Sequence, residues 1–227
     1  MNLLEMNPHE TRYIPLIGSP IGGSTASYLY NQIFAAFGIN AMSYPVEVKN
    51  GELPELLATV KFMNTPGCVL TSPHKQDIIQ YIDDVDEASR VFRSVNTLRF
   101  REDGRIEGHG LDGKGVIGAF DDNGVDLKGK EVVMLGAGGI SGIFATELAN
   151  RGIRKLTILN RTVDKARYVT ETLAARTPVE TACGEYTPEN ARRAVETADI
   201  LIQATTLGMK GSGHDHPDLS FMEALPE

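Results

Sequence analysis

Apolar and polar positions alternate in short segments along the first half of the chain. Apolar residues fill 13–17 and occur at every second position over 41–48, which is typical of strands. Residues 26–37 and 53–63 instead carry apolar side chains at helical spacing. A further short buried strand is predicted over 67–71. This half of the chain therefore predicts strands that alternate with helices.

Turn-forming residues divide the remainder of the first half. Pro73 is expected to interrupt the chain before a helix over 75–81. Two strand-like segments, 95–100 and 105–108, flank the dipeptide at 103–104. That dipeptide is Asp-Gly, a strong signal for a β-hairpin turn.

The second half has a more regular pattern. Residues 130–135 (KEVVML) form a continuous apolar run, as expected of a strand covered on both faces of its sheet. Predicted helices and strands then alternate over 140–151, 156–160, 164–175, 179–182, 188–197 and 199–204. Connections of this length join parallel strands, so the predicted fold class is α/β.

Two domains are predicted from this organisation. An N-terminal α/β substrate domain is expected over 1–112. A Rossmann-type domain with a doubly wound parallel sheet is expected over 113–227, where it would bind a dinucleotide. The boundary is expected in a linker within 112–128.

Composition and charge exclude several classes of protein. The chain has 22 Lys+Arg against 30 Asp+Glu, which disfavours binding to nucleic acid. No run approaches the ~20 apolar residues that span a bilayer, and residues 1–13 do not resemble a signal peptide. Two cysteines and five scattered histidines predict no disulfide framework and no metal site. We expect a cytoplasmic protein without membrane or nucleic-acid partners.

A glycine-rich segment, LGAGGIS (135–141), lies between a predicted strand and a predicted helix. Glycines at 136, 138 and 139 let the backbone turn tightly and approach a pyrophosphate, which the helix N-terminus would attract. Ser141 occupies the third fingerprint position as a small residue. The alternative is a plain structural turn, but the strand–loop–helix context favours nucleotide binding.

The residues after the second strand of this half bear on the choice of cofactor. An NAD site usually has Asp or Glu there, whereas this chain has Asn160, Arg161 and Thr162, with Lys165 one turn later. A guanidinium can bind a 2′-phosphate through two hydrogen bonds, so we predict NADP. Asp164 follows the basic residues and leaves NAD as the less favoured cofactor. An ordinary basic surface turn is the alternative interpretation.

Several motifs together resemble the shikimate dehydrogenase family, including its quinate/shikimate relatives, over about residues 13–209. They occur in the family's order and are GSPIGGS (18–24), VLTSPHK (69–75), SVNT (94–97), GHGLDGKG (108–115), GAGGIS (136–141), NRT (160–162) and QATTLGM (203–209).

This resemblance implies a ketone reduction in which Lys75 donates a proton to the developing alkoxide and Asp112 holds the ammonium in place. Ser24 is expected to bind the substrate carboxylate, while Thr71 and Asn96 bind substrate hydroxyls. Asn96 could alternatively cap local backbone.

The neighbouring positions are assigned in the same way. His74 is expected to be exposed and not catalytic, and Met209 to flank the nicotinamide or simply to pack. The positions implied for the cofactor are Gly136, Ala137, Gly138, Gly139, Ile140, Asn160, Arg161, Thr162, Lys165, Thr205 and Met209.

Two segments depart from the family's pattern. At the carboxylate loop Ala26 replaces a second serine, which removes a charge-assisted hydrogen bond worth roughly 1.5–3 kcal/mol. Thr25 and Ser27 are candidates to replace it. Gly110 and Leu111 precede Asp112 where the family has Asn-Thr. These changes predict retained redox chemistry with an altered substrate or weak shikimate activity.

The leading expectation is an NADPH-linked oxidoreductase that reduces 3-dehydroshikimate to shikimate, or a close cyclic hydroxy acid. The alternatives are an NAD-dependent quinate or aminoshikimate-type dehydrogenase and a catalytically weak nucleotide-binding paralogue. The expected partner is a small hydroxy acid, and a homodimer is plausible on family grounds. Since the family continues past the last predicted strand to a C-terminal helix, the chain is expected to lack that part.

Overall fold

The computed structural model describes residues 9–60, 62–208, 214–216 and 218–226. The chain divides into two compact units, Met1–Leu111 and Asp112–Glu227. Each unit contains its own sheet with helices in the connections, so the predicted α/β fold class is confirmed.

The first unit is built on a six-stranded sheet with the order β2-β1-β3-β5-β6-β4. β1 is parallel to β2 and β3, whereas β5 is antiparallel to β3 and β6. The strands are β1 (Arg12–Gly18), β2 (Ala41–Glu47), β3 (Gly67–Leu70), β4 (Asp84–Val85), β5 (Thr97–Phe100) and β6 (Ile106–His109). The connecting helices are α1 (Ala26–Ala36), α2 (Leu53–Val60), α3 (His74–Asp77) and α4 (Glu87–Phe92).

The apolar pattern of the sequence accounts for most of this unit. Buried side chains of β1, β3 and β5 form one cluster with residues from the connections, including Ile17, Leu70, Leu98 and Ile78. The predicted hairpin is confirmed, with Thr97 opposite His109. The helix predicted over 75–81 is instead one α-helical turn followed by a 3₁₀ helix, Ile78–Tyr81.

The predicted linker at 112–128 is wrong in its first part, because Asp112–Asp122 forms a helix, α5. Glycines have low intrinsic helix propensity, and this helix contains three of them. Tertiary packing overrides that preference, since α5 packs against helix α6 (Ser141–Asn150). A methyl group on Gly113 would lie 3.0 Å from the Ile143 carbonyl oxygen, so glycine there permits the close approach.

The second unit contains a parallel four-stranded sheet with the order β10-β7-β8-β9. Its strands are β7 (Glu131–Leu135), β8 (Lys155–Asn160), β9 (Glu180–Glu185) and β10 (Ile200–Gln203). Besides α5 and α6, its helices are α7 (Val163–Ala174) and α8 (Pro188–Val195). A 3₁₀ helix, Ser220–Ala224, packs on α8 and buries Phe221. The continuous apolar run at β7 is buried on both faces, as its sequence predicts.

No helix among the described residues has the length and apolar character needed to cross a membrane.

Candidate active site

The carboxyl ends of β1 and β3 hold one predicted residue, Thr71, in place. Its N–H donates to the Ile17 carbonyl at 2.8 Å, and a Cβ at Gly18 would lie 2.4 Å from the Thr71 methyl group. Ser19 N–H also donates to the Ser72 carbonyl at 3.0 Å. Glycine at 18 is therefore required for the two strand ends to approach this closely.

Lys75 lies half-buried in α3, directly after this turn. Its carbonyl oxygen accepts the Val95 N–H at 2.9 Å, and the Asn96 carbonyl accepts the Leu70 N–H at 2.7 Å. These backbone bonds bring three predicted residues, Thr71, Lys75 and Asn96, into one part of the first unit.

The expectation that His74 is exposed is wrong, because its side chain is fully buried. Its Nε2 lies 2.6 Å from the Val48 carbonyl oxygen, and its Nδ1 has no hydrogen-bond partner among the described residues. Val48 directly follows β2, so the buried ring packs against the end of that strand, and α3 begins at His74, one residue earlier than predicted. His74 therefore anchors the turn that carries Lys75.

Asn96 is buried, and its side chain joins two segments that are 15 positions apart. Oδ1 accepts the Leu111 N–H at 2.8 Å, and the Asn96 N–H donates to the His109 carbonyl at 3.0 Å. The backbone-capping alternative for Asn96 therefore describes a bond that exists. A role in substrate binding stays a prediction.

Ser24 lies in an exposed loop, and the residues just before Ser24 in that loop are hydrogen-bonded to Glu47. The Glu47 carboxylate accepts the Ser19 hydroxyl at 2.6 Å and the Ile21 N–H at 2.9 Å. These two hydrogen bonds lower the pKa of Glu47 below its ordinary value. The Ser24 N–H closes the loop on the Ile21 carbonyl at 3.0 Å.

The two hydroxyls proposed to replace the missing serine differ in the structure. Ser27 is buried and its Oγ accepts the Ser43 hydroxyl at 3.2 Å, so it packs α1 against β2 rather than entering a carboxylate site. Thr25 is exposed at the N-cap of α1 and, among the described residues, its side chain makes no capping hydrogen bond.

Asp112 is the first residue of α5 and of the second unit, and its side chain is half-buried. An acidic side chain in the first turn of a helix is favoured by the helix dipole. The location of Asp112 at a helix start explains how its backbone is held.

The glycine-rich loop has the conformation that its sequence predicts. Gly136 has φ +112°, and a Cβ there would lie 2.8 Å from the Ala204 carbonyl oxygen. Buried Ser141 donates its hydroxyl to the Gly136 carbonyl at 3.1 Å. Ala137 N–H donates to Asn160 Oδ1 at 3.0 Å, which joins the loop to the end of β8.

The rest of the loop borders open space. Gly138 and Gly139 are exposed, and a Cβ at either position would meet no atom within 4 Å. Ile140 is the N-cap of α6 and supplies no side-chain hydrogen bond to the first turn. The helix N-terminus can therefore offer its N–H groups to a phosphate.

Two cations, Arg161 and Lys165, follow β8. Arg161 and Lys165 are exposed, and neither forms an ion pair within the described part of the chain. Asp164 pairs instead with Arg167. Asn160 Nδ2 and the Lys165 N–H both donate to the Thr162 carbonyl, which shapes the turn.

Thr205 lies at the end of β10, and its N–H and hydroxyl both donate to Gln203 Oε1 at 2.9 Å. The Gln203 amide in turn contacts His216, whose other ring nitrogen lies 2.8 Å from the Tyr186 hydroxyl. Met209, predicted to flank the nicotinamide, lies outside the described residues.

A separate open cavity of about 810 Å³ lies elsewhere in the first unit, where β1 and β3 begin and β5 ends. It includes Arg12, Arg99 and Arg101 but none of the predicted site residues. Because the candidate residues of this unit follow the carboxyl ends of β1 and β3, this cavity is not part of the candidate site. No group of three metal-ligating side chains occurs within the described ranges.

Two family models match the chain. The shikimate dehydrogenase substrate binding domain matches residues 16–98, and the shikimate / quinate 5-dehydrogenase model matches residues 119–208. A shikimate dehydrogenase (NADP(+)) from Alkaliphilus oremlandii is 36% identical over 203 residues, covering 88% of this chain and 70% of that protein.

The chain belongs to the shikimate dehydrogenase family.

Solved structures of proteins similar to this chain share its fold. Shikimate 5-dehydrogenase from Listeria monocytogenes, in complex with shikimate and NAD, has a TM-score of 0.82 at 28% identity, covering 91% of this chain and 72% of that one. A 5-ketofructose reductase from Gluconobacter also has a TM-score of 0.82 at 28% identity, covering 95% and 76%. The same fold therefore occurs in proteins whose names state different substrates.

Sequence analysis missed two polar residues, Asp86 and Glu47, that hold segments next to the candidate site, and it did not predict the hydrogen bond of the Ser141 hydroxyl. Asp86 accepts the Gly110 N–H, Glu47 holds the loop before Ser24, and Ser141 closes the glycine-rich loop. Asp86 could have been recognised as a helix N-cap, because Asp is a favoured residue at that position. Gly110, the distant partner of Asp86, and both partners of Glu47 lie more than 20 positions away, and no local pattern indicates them.

Proposed function

We propose that this chain catalyses the reduction of 3-dehydroshikimate to shikimate with NADPH. The carrying observation is that backbone bonds place Thr71, Lys75 and Asn96 together in a member of the shikimate dehydrogenase family. The domain that binds substrate is assigned to 1–112, and the domain that binds NADP to 113–227.

The residues of the first half bind the substrate and move the proton. The Lys75 ammonium donates a proton to the ketone oxygen as negative charge develops there. Asp112 holds that ammonium in the orientation needed for transfer. Thr71 and Asn96 bind ring hydroxyls, and Ser24 binds the carboxylate. When bound, the reduced cofactor supplies the hydride.

The residues of the second half bind and orient the cofactor. Gly136, Gly138 and Gly139 leave room for the pyrophosphate, and the N-terminus of α6 attracts it. Arg161, with Lys165 nearby, binds the 2′-phosphate and so favours NADP over NAD. Ala137, Ile140, Asn160, Thr162, Thr205 and Met209 complete the predicted set.

A second candidate is an NADPH-linked reductase of an uncharged polyhydroxy ketone. Ala26 lacks a hydroxyl, and the Ser27 hydroxyl is hydrogen-bonded to Ser43. The loop therefore offers a carboxylate fewer hydrogen-bond donors than the family's pattern with two serines. The 5-ketofructose reductase is as similar in structure as the shikimate enzyme from Listeria. Both features support an enzyme that keeps the redox chemistry but relaxes recognition of the acid group.

One screen separates these candidates. The protein is incubated with shikimate, quinate, aminoshikimate and fructose, each with NADP and with NAD, and absorbance of the reduced cofactor is followed. We expect the highest kcat/KM with shikimate and NADP. Preference for fructose would favour the second candidate, preference for NAD would contradict the cofactor assignment, and cofactor binding without turnover would contradict both candidates.

The free cysteines support a reducing, cytoplasmic location. Cys68 is buried, and this burial raises the pKa of its thiol to about 12, so it is an inert core residue. Cys183 is half-buried and also free. Proteins with free thiols and no disulfides are typical of reducing compartments. A homodimer stays a prediction from the family resemblance.

A further inference from the structure

The two residues that precede Asp112 are held by two side chains from distant parts of the first unit. Asp86 Oδ2 accepts the Gly110 N–H at 3.0 Å, and Asn96 Oδ1 accepts the Leu111 N–H at 2.8 Å. The same two residues also hold the preceding strand, because Asp86 N–H donates to the Gly108 carbonyl at 3.3 Å and Asn96 N–H to the His109 carbonyl at 3.0 Å. Residues 108–111 are thus fixed residue by residue up to the start of α5.

The side chains of residues 110 and 111 themselves add little to holding this segment in place. Gly110 has no side chain and Leu111 is 40% exposed, so neither residue contributes a buried side chain to this segment. β6 ends at His109 and α5 begins at Asp112, so 110–111 are the two residues that link a strand to a helix. The N–H groups of both linking residues are held by side-chain oxygens, those of Asp86 and Asn96.

Asp86 divides its two oxygens between separate tasks. Oδ1 accepts the Ser89 N–H at 2.9 Å and so caps α4, whereas Oδ2 accepts the Ser89 hydroxyl at 2.7 Å as well as the Gly110 N–H. A cap needs only one acceptor, and asparagine supplies it as well as aspartate does. The second oxygen of Asp86 is therefore in excess of what the helix requires.

We propose that Asp86 is a positioning residue for Asp112, which it orients by holding the Gly110 N–H. The role rests on the proposed function, in which Asp112 holds the Lys75 ammonium. Burial by itself raises the pKa of Asp86, but the hydrogen bonds from Ser89 and Gly110, with His109 nearby, bring it below the ordinary value. The group is thus a carboxylate at neutral pH, with both oxygens able to accept.

Asp86→Asn separates the two tasks. The amide oxygen can still cap α4, but the amide nitrogen is a donor and cannot accept the Gly110 N–H. Ser89→Ala is the matched control, because it removes the hydroxyl bond to Oδ2 and leaves the bond to Gly110. We expect kcat to fall about tenfold in Asp86→Asn, since small displacements of a catalytic group are costly. We expect KM within about twofold and a Tm close to that of Ser89→Ala.

A double-mutant cycle tests whether the effect acts through Asp112. In an Asp112→Ala background, Asp86→Asn should change the residual kcat by less than about twofold, because the group it positions is gone. A general structural role would instead lower kcat by the same factor in both backgrounds. Amide hydrogen exchange provides a readout that needs no turnover: Asp86→Asn should accelerate exchange at Gly110, and Ser89→Ala should not.

The outcomes distinguish the proposal from the function on which it rests. An active parent with full kcat in Asp86→Asn, an additive cycle, or unchanged exchange at Gly110 would overturn the role of Asp86 alone. A parent that turns over none of the screened substrates would overturn the proposed function and this role with it.

Discussion

Gly136 has a structural role in the glycine-rich loop and is also a residue of the proposed cofactor site. Its φ of +112° is a conformation that L side chains rarely adopt, and the Ala204 carbonyl oxygen lies 2.8 Å from where a Cβ would be. Gly138, two positions later, faces open space. The two glycines therefore have different physical reasons, the first in the protein itself and the second in the room it leaves for a ligand.

Gly136→Ala is expected to destabilise the protein by about 1–3 kcal/mol, because the native backbone is strained for alanine and its methyl group meets the Ala204 carbonyl. Gly138→Ala is the control and should stay within about 0.5 kcal/mol of the parent. Chemical denaturation without cofactor measures both. Equal losses in the two variants would contradict this explanation of the loop.

Lys75 can be tested against a lysine that has no predicted role. Lys75→Ala is expected to lower kcat by about 10²–10⁴-fold, because the proton donor to the alkoxide is lost, with KM changed only a few-fold. Lys128, exposed in the turn before β7, is the matched control, and Lys128→Ala should leave kcat unchanged. Steady-state kinetics in the direction of shikimate oxidation decide the point, and an unchanged kcat in Lys75→Ala would refute the assignment.

Helix starts differ in how the chain satisfies their N–H groups. The N-cap of α8 is Thr187, whose hydroxyl oxygen accepts the Asn190 N–H at 3.1 Å, and Pro188 follows in the first turn. The N-cap of α7 is Thr162, whose side chain makes no capping hydrogen bond to that helix. The same residue type therefore has an energetic role at one helix and none at the other.

Thr187→Ala is expected to lower the free energy of unfolding by about 1 kcal/mol, since an N-cap bond is lost. Thr162→Ala is the matched substitution at an N-cap without such a bond and should cost no more than about 0.5 kcal/mol. Both are measured by denaturation in the absence of cofactor. A larger loss at Thr162 than at Thr187 would show that the cap bond does not determine stability here.

For the whole molecule, binding of NADP is linked to stability. A ligand that binds only the folded state stabilises it by about 2.7 kcal/mol at a concentration 100 times Kd. The glycine-rich loop and the Arg161 turn both lie in the second unit, so this gain is expected to depend on residues of that unit.

Arg161→Ala is expected to weaken NADP binding about tenfold or more, because charge-assisted hydrogen bonds to the 2′-phosphate are lost, while NAD binding stays unchanged. Arg192, exposed on α8, serves as the control, and Arg192→Ala should preserve both affinities. Titration calorimetry gives the affinities, and the Tm increase with saturating cofactor should follow them. An equal loss for the two cofactors would rule out a contact with the 2′-phosphate.

The order of elements followed from local patterns. Apolar periodicity predicted strands and helices because it reflects which face of an element is buried. The glycine-rich loop around Gly136 could also be predicted from the sequence, since the strand, turn and helix that form it are consecutive in the chain. The family and its fold class could therefore be predicted without the structure.

Tertiary structure decided the features that depend on distant partners. His74 looked like a polar surface residue beside a lysine, yet it is buried against the Val48 carbonyl, 26 positions earlier. The glycine-rich start of α5 looked like a linker until its packing on α6 was known. The hydrogen bonds that hold 110–111 span 24 and 15 positions, and they arise only when the strands have taken their register. The sequence thus determined which residue types are available to the chemistry. The packing of elements decided which residues hold the candidate site residues in place. The reason is that a hydrogen bond requires atoms within about 3 Å of each other, whatever their separation along the chain.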